Sequence, residues 1–151
     1  MRKIIAATVV GLLVSVSFGS VGVAQEKTAE QLVASKKKAN MTYKQLMEIM
    51  GKASAMIHEG IIRENQQMVQ EGANIILNHP APKHKPWSIM AEADQKDFKM
   101  SLMSFNKLLD GDAALAATEA AKGNWDGASK AAHDLMGSCI SCHAMWRAKV
   151  K

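Results

Sequence analysis

Cys139-Ile140-Ser141-Cys142-His143 brings two thiols and an imidazole together within five residues. A Cys-x-x-Cys-His run is the attachment signature of a c-type haem: each thiol adds to a porphyrin vinyl group and the adjacent imidazole ligates the iron. On a helix, Cys139, Cys142 and His143 share one face, because residues three and four apart are neighbours there. The chain has no other cysteine. A short-loop disulfide or half of a zinc site is the competing use, but a zinc ribbon needs a second Cys-x-x-Cys or His pair at matching spacing, and none is present. The chemistry implied is one covalent haem c, with Cys139 and Cys142 as thioether anchors and His143 as axial iron ligand.

The other end of the sequence bears on that chemistry. Met1-Arg2-Lys3 is a short basic region, Ile4 to Val16 is apolar, and small residues lead to Gly22-Val23-Ala24. That is the pattern of a secretory signal over residues 1–24, cleaved after Ala24. An uncleaved membrane anchor is the less favoured reading, since Gly11, Ser15, Ser17, Gly19, Ser20 and Gly22 dilute the hydrophobicity and no basic stop-transfer run follows. Covalent haem attachment takes place outside the bacterial cytoplasm, so a periplasmic location and the Cys-x-x-Cys-His run support each other. No stable membrane insertion is expected after cleavage.

A chain of 151 residues suits one domain with a single core. Eleven Met, abundant Ala, three Pro and few aromatics are the profile of an all-helical protein. The net charge of +5 includes Arg2 and Lys3, so the cleaved chain carries +3, which two haem propionates bring near neutrality. Lys36-Lys37-Lys38 is the longest basic run and reads as a solvated face, so no nucleic-acid partner is expected.

Hydrophobic spacing divides the remainder into helices. Thr28 to Gln31 can form a capping box, but the polar lead-in over residues 25–40 gives a helix little to bury and reads as a leading turn or mobile tail. A haem domain is expected over residues 41–151. Its first helix carries Leu46, Ile49, Met50, Ala53, Met56, Ile57 and Ile61 at three- and four-residue spacing. Gly60 and Arg63-Glu64-Asn65 suggest a turn, and a second helix bearing Met68, Val69, Ala73, Ile76 and Leu77 stops before His79-Pro80. Residues 79–87 read as a proline-rich surface loop in which His79 and His84 are incidental. A third helix starts near Ala91 with Phe98, Leu102, Phe105 and Leu109, and Asp110-Gly111-Asp112 is expected to kink or interrupt it. Gly123 and Asn124 then mark the boundary of a last helix. There Ala132, Leu135, Cys139, Cys142 and Trp146 make an apolar stripe, while His133 points away from His143.

Four amphipathic helices on short connections predict an all-α protein, an antiparallel four-helix bundle with covalently bound haem near the C-terminus. Side-by-side first and last helices would bring Met41 to Met50 toward His143. With Cys139, Cys142, His143, Trp146 and Arg147 in the order Cys-x-x-Cys-His-x-x-aromatic-Arg, and Tyr43-Lys44-Gln45 followed by Leu46-Met47 on the first helix, the chain resembles a class II c-type cytochrome of the cytochrome c-prime family. Lys44 stands where the family carries arginine, and the spacing to the distal residue is one shorter.

The resemblance implies that a distal residue decides between two functions. A thioether from Met47, with Met41 and Met50 as alternatives, closes the iron and suits a monohaem electron carrier serving redox partner proteins. Without it the iron is five-coordinate and binds nitric oxide or carbon monoxide. Arg147 and Lys44 are candidate propionate or proximal contacts, Trp146 is a packing residue, and relatives allow a homodimer. A non-haem helical module with a redox Cys-x-x-Cys is the remote alternative. The sequence holds no hydrolytic or transferase constellation, and no enzymatic activity is expected.

Overall fold

The structure, a computed structural model, describes residues 27–151; the expected signal segment and its cleavage point lie outside the described residues. The described chain is mostly helical. It contains α1 (Ala29–Ser35), α2 (Tyr43–Ile62), α3 (Gln66–Asn78), α4 (Glu92–Ala121) and α5 (Trp125–Trp146), with short 3-10 turns at Pro86–Ile89 and Arg147–Lys149. No helix among the described residues is long and apolar enough to cross a membrane.

Local sequence explains the boundaries. Thr28 and Thr42 open α1 and α2 with complete capping boxes, each hydroxyl accepting from the backbone of Gln31 or Gln45 while that glutamine's side chain accepts in return. Such a cap is worth about 1 kcal/mol. Asn65 caps α3 and Asn124 caps α5. Gly123, at φ +71°, occupies the left-handed region and turns the chain out of α4.

The four long helices pack in a cycle, α2 on α3, α3 on α4, α4 on α5 and α5 on α2. Their shared core is rich in small residues: Ala53, Ala73, Ala113, Ala116, Ala120, Ala128, Ala131 and Ala132 are buried with Ile57, Val69, Ile76 and Leu135. Small side chains let backbones approach closely. A Cβ on Gly72 of α3 would lie 2.8 Å from the Ala53 carbonyl oxygen and from Ile57 Cγ1 of α2, and one on Gly60 would meet Val69 at 2.8 Å. Gly60 therefore lies inside α2 as a contact residue, and the turn itself is carried by residues 63–65, where Glu64 takes φ +49°.

Three expectations are corrected. Asp110-Gly111-Asp112 does not interrupt the third helix; α4 runs unbroken for 30 residues. Burial of Ala113, Ala116 and Ala120 on its inner face outweighs the roughly 1 kcal/mol helix penalty of one glycine. The lead-in is neither a leading turn nor a mobile tail: the Thr28 capping box opens α1 at Ala29 as its spacing allowed, α1 buries Ala29 against Trp87, Met90, Phe98 and Trp146, and Glu30 pairs with Lys99 of α4 at 2.7 Å. Residues 79–87 are not a surface loop either. Ala81, Pro82, Pro86 and Trp87 are buried, because a two-residue parallel bridge joins Lys38–Ala39 (β1) to Ala81–Pro82 (β2) and folds that segment inward.

Candidate haem site

One wall of a cavity of about 240 Å³ is formed by α5, whose buried Leu135 and partly buried Cys139 and Cys142 line it together with the exposed His143. The stripe read from sequence explains the placement. Leu135 and Trp146 anchor the helix in the core, and the positions between them at three- and four-residue steps carry both thiols to the same side. Both cysteines are free thiols and partly buried. Burial pushes each thiol above its ordinary pKa, and at Cys142 the charge of a Cys139 thiolate adds to the effect. The two sulfurs are therefore held protonated at neutral pH.

Across the cavity, α2 contributes Tyr43, Leu46, Met47 and Met50, and α4 contributes Leu102, Phe105 and Leu109. Tyr43 packs edge-on to Phe98 with ring centroids 6.2 Å apart, and its burial drives the phenol well above its ordinary range. α1 adds Leu32 and Val33, and the 79–86 segment adds Ala81, Pro82 and Pro86, so the two segments read as lead-in and loop complete the wall.

Cys139, Cys142, His143, Met47 and Met50 thus meet at one cavity. Met41 does not: it is half-buried ahead of α2 and lies outside the wall. Lys44 and Arg147 are exposed and also outside it. Trp146 is buried behind the wall, 5.3 Å from Phe98 in an edge-to-face pair, with its indole nitrogen unpartnered among the described residues. Lys149 lies 4.9 Å over its ring and pairs with Asp94. His133 is exposed, away from the site.

Besides Ser54 and Ser138, four larger polar lining residues escaped the sequence reading as site residues: Lys36, His79, Asn106 and Asp110. No period marks Lys36 or His79, each of which follows the last residue of a helix. Asn106 and Asp110 are one turn apart on the α4 face that bears Phe105 and Leu109, a spacing that was available as a signal.

The donor set fits a haem. A mostly apolar cavity is flanked by two thiols and an imidazole on one helix and by two thioethers on another, which matches the needs of an apolar macrocycle held by covalent anchors and axial ligands. Among the described residues, no three His, Cys, Asp or Glu side chains cluster as a bare metal-ion site. Comparison with protein-family models, curated proteins and solved structures gave no match to this chain.

Proposed function

We propose that this chain is a monohaem c-type cytochrome, an antiparallel four-helix bundle that carries single electrons between redox partner proteins in the periplasm. The observation that carries the reading is the meeting of Cys139, Cys142 and His143 with Met47 and Met50 at one apolar cavity.

In this reading Cys139 and Cys142 would hold the macrocycle to α5 as thioethers, His143 would ligate the iron from the same helix, and Met47 would offer a thioether ligand from α2, with Met50 one turn further along that helix. A haem held there supplies the one-electron couple. The apolar side chains of α1, α2 and α4 exclude water and keep the environment constant between oxidation states. The resemblance to class II c-type cytochromes supports the same assignment.

Absorption spectra of the exported protein, recorded oxidised, reduced and reduced under carbon monoxide, test it. Sharp low-spin bands unmoved by the gas are expected, with Met47→Ala admitting carbon monoxide and Met50→Ala leaving the spectrum unchanged. High-spin bands that shift with the gas in the unaltered protein would instead make this a five-coordinate, gas-binding protein in which Met47 only packs.

A further inference from the structure

Apart from the Cys139, Cys142 and His143 donor set, Tyr43 and a few uncharged polar groups, the mostly apolar cavity wall carries three further charged or titratable side chains. Lys36 follows the last residue of α1, His79 follows the last residue of α3, and Asp110 lies on α4. The three are close enough for Asp110 to act on the titration of both Lys36 and His79. Their partners differ. The Asp110 carboxylate accepts a 2.7 Å hydrogen bond from Asn106 Nδ2, and His79 donates from Nδ1 to the Pro80 carbonyl at 2.9 Å. The Lys36 ammonium is half-buried, yet among the described residues it makes no hydrogen bond and no ion pair, Asp110 included.

Asp110 acts on the half-buried ammonium without pairing directly with it, so part of the desolvation cost stands, and a carboxylate in direct contact relieves it. A haem presents two carboxylates on one edge and is apolar elsewhere. The remaining cationic candidates, Lys44 and Arg147, lie off the cavity wall. We propose that Lys36 is the cation that pairs with a haem propionate, so that the carboxylate edge of the macrocycle faces the Lys36, His79 and Asp110 corner of the cavity. The inference rests on the haem reading above.

The test uses the chain over residues 25–151 produced without export, so that no haem is attached, and titrates it with ferric haem and with ferric haem dimethyl ester, following the Soret band. The unaltered chain is expected to prefer haem over the ester by about tenfold, the size of one charge-assisted hydrogen bond of at least ~1.4 kcal/mol. Lys36→Gln should lose that preference by weakening haem binding alone, Lys36→Arg should keep it, and Lys44→Gln and Arg147→Gln should leave it intact. Circular dichroism of each variant separates a lost ion pair from lost folding, and a Lys36→Gln chain that binds the ester normally is folded by that criterion. Haem binding with no preference, or a preference that survives Lys36→Gln or Lys36→Met, overturns the proposal and leaves the haem reading standing. Binding of neither compound overturns both.

Discussion

Burial decides what individual side chains at the cavity can do. His79 illustrates it: loss of water around the ring lowers its pKa below the ordinary 6.5, the nearby Lys36 charge acts in the same direction, and the Pro80 carbonyl and Asp110 oppose it. Below 6.5 the unfolded chain then binds the proton more readily than the folded one. The stability that comes from keeping His79 neutral is complete above 6.5 and is lost as pH falls from 6.5 through the depressed value. Urea midpoints of the haem-free chain at pH 7.5 and 5.5 should therefore differ, with the lower value at 5.5, and His79→Gln should narrow the gap. An unchanged gap in that variant would assign the acid sensitivity elsewhere. At this scale the thiols and imidazole of Cys139, Cys142 and His143 were legible in the sequence because their relation lies within five residues of one helix. Lys36 and His79 were not, because their relation exists only after two helix ends and a loop meet.

Among the elements, the pairing of α2 with α3 depends on Gly72, where a methyl group would collide with the Ala53 carbonyl and Ile57. Backbone cannot step aside as the end of a flexible side chain can, so Gly72→Ala should destabilise the fold by about 2 kcal/mol in urea unfolding. Gly111, mid-way along α4, is exposed, and a methyl group there would have nothing within 4 Å, so Gly111→Ala should instead stabilise by up to ~1 kcal/mol. Equal effects of the two substitutions would contradict this account of the helix contacts. Element boundaries were legible at several caps and one proline: Thr28, Asn124, Gly123 and Pro80 each mark an observed end or its neighbour, whereas the Thr42 capping box went unread. What escaped was tertiary. The continuity of α4 through Gly111 and the burial of α1 depend on what those segments pack against, which local spacing does not encode.

For the whole molecule, the mostly helical architecture followed from composition and spacing, whereas the cavity did not, because its wall is assembled from α1, α2, α4, α5 and the 79–86 segment together. The inward-folded 79–86 segment and α1 form the part of that wall least visible in the sequence. They also supply Lys36 and His79, the side chains that give an otherwise apolar cavity a polar corner. The central claim is that this cavity holds a haem joined to α5 by two thioethers. Its most direct test is the denatured mass of the chain after export in cells equipped for haem attachment. The account predicts the chain mass plus one haem, falling to no stably attached haem in Cys139→Ala/Cys142→Ala. An unmodified mass with both thiols open to alkylation, despite a competent attachment system, would contradict it.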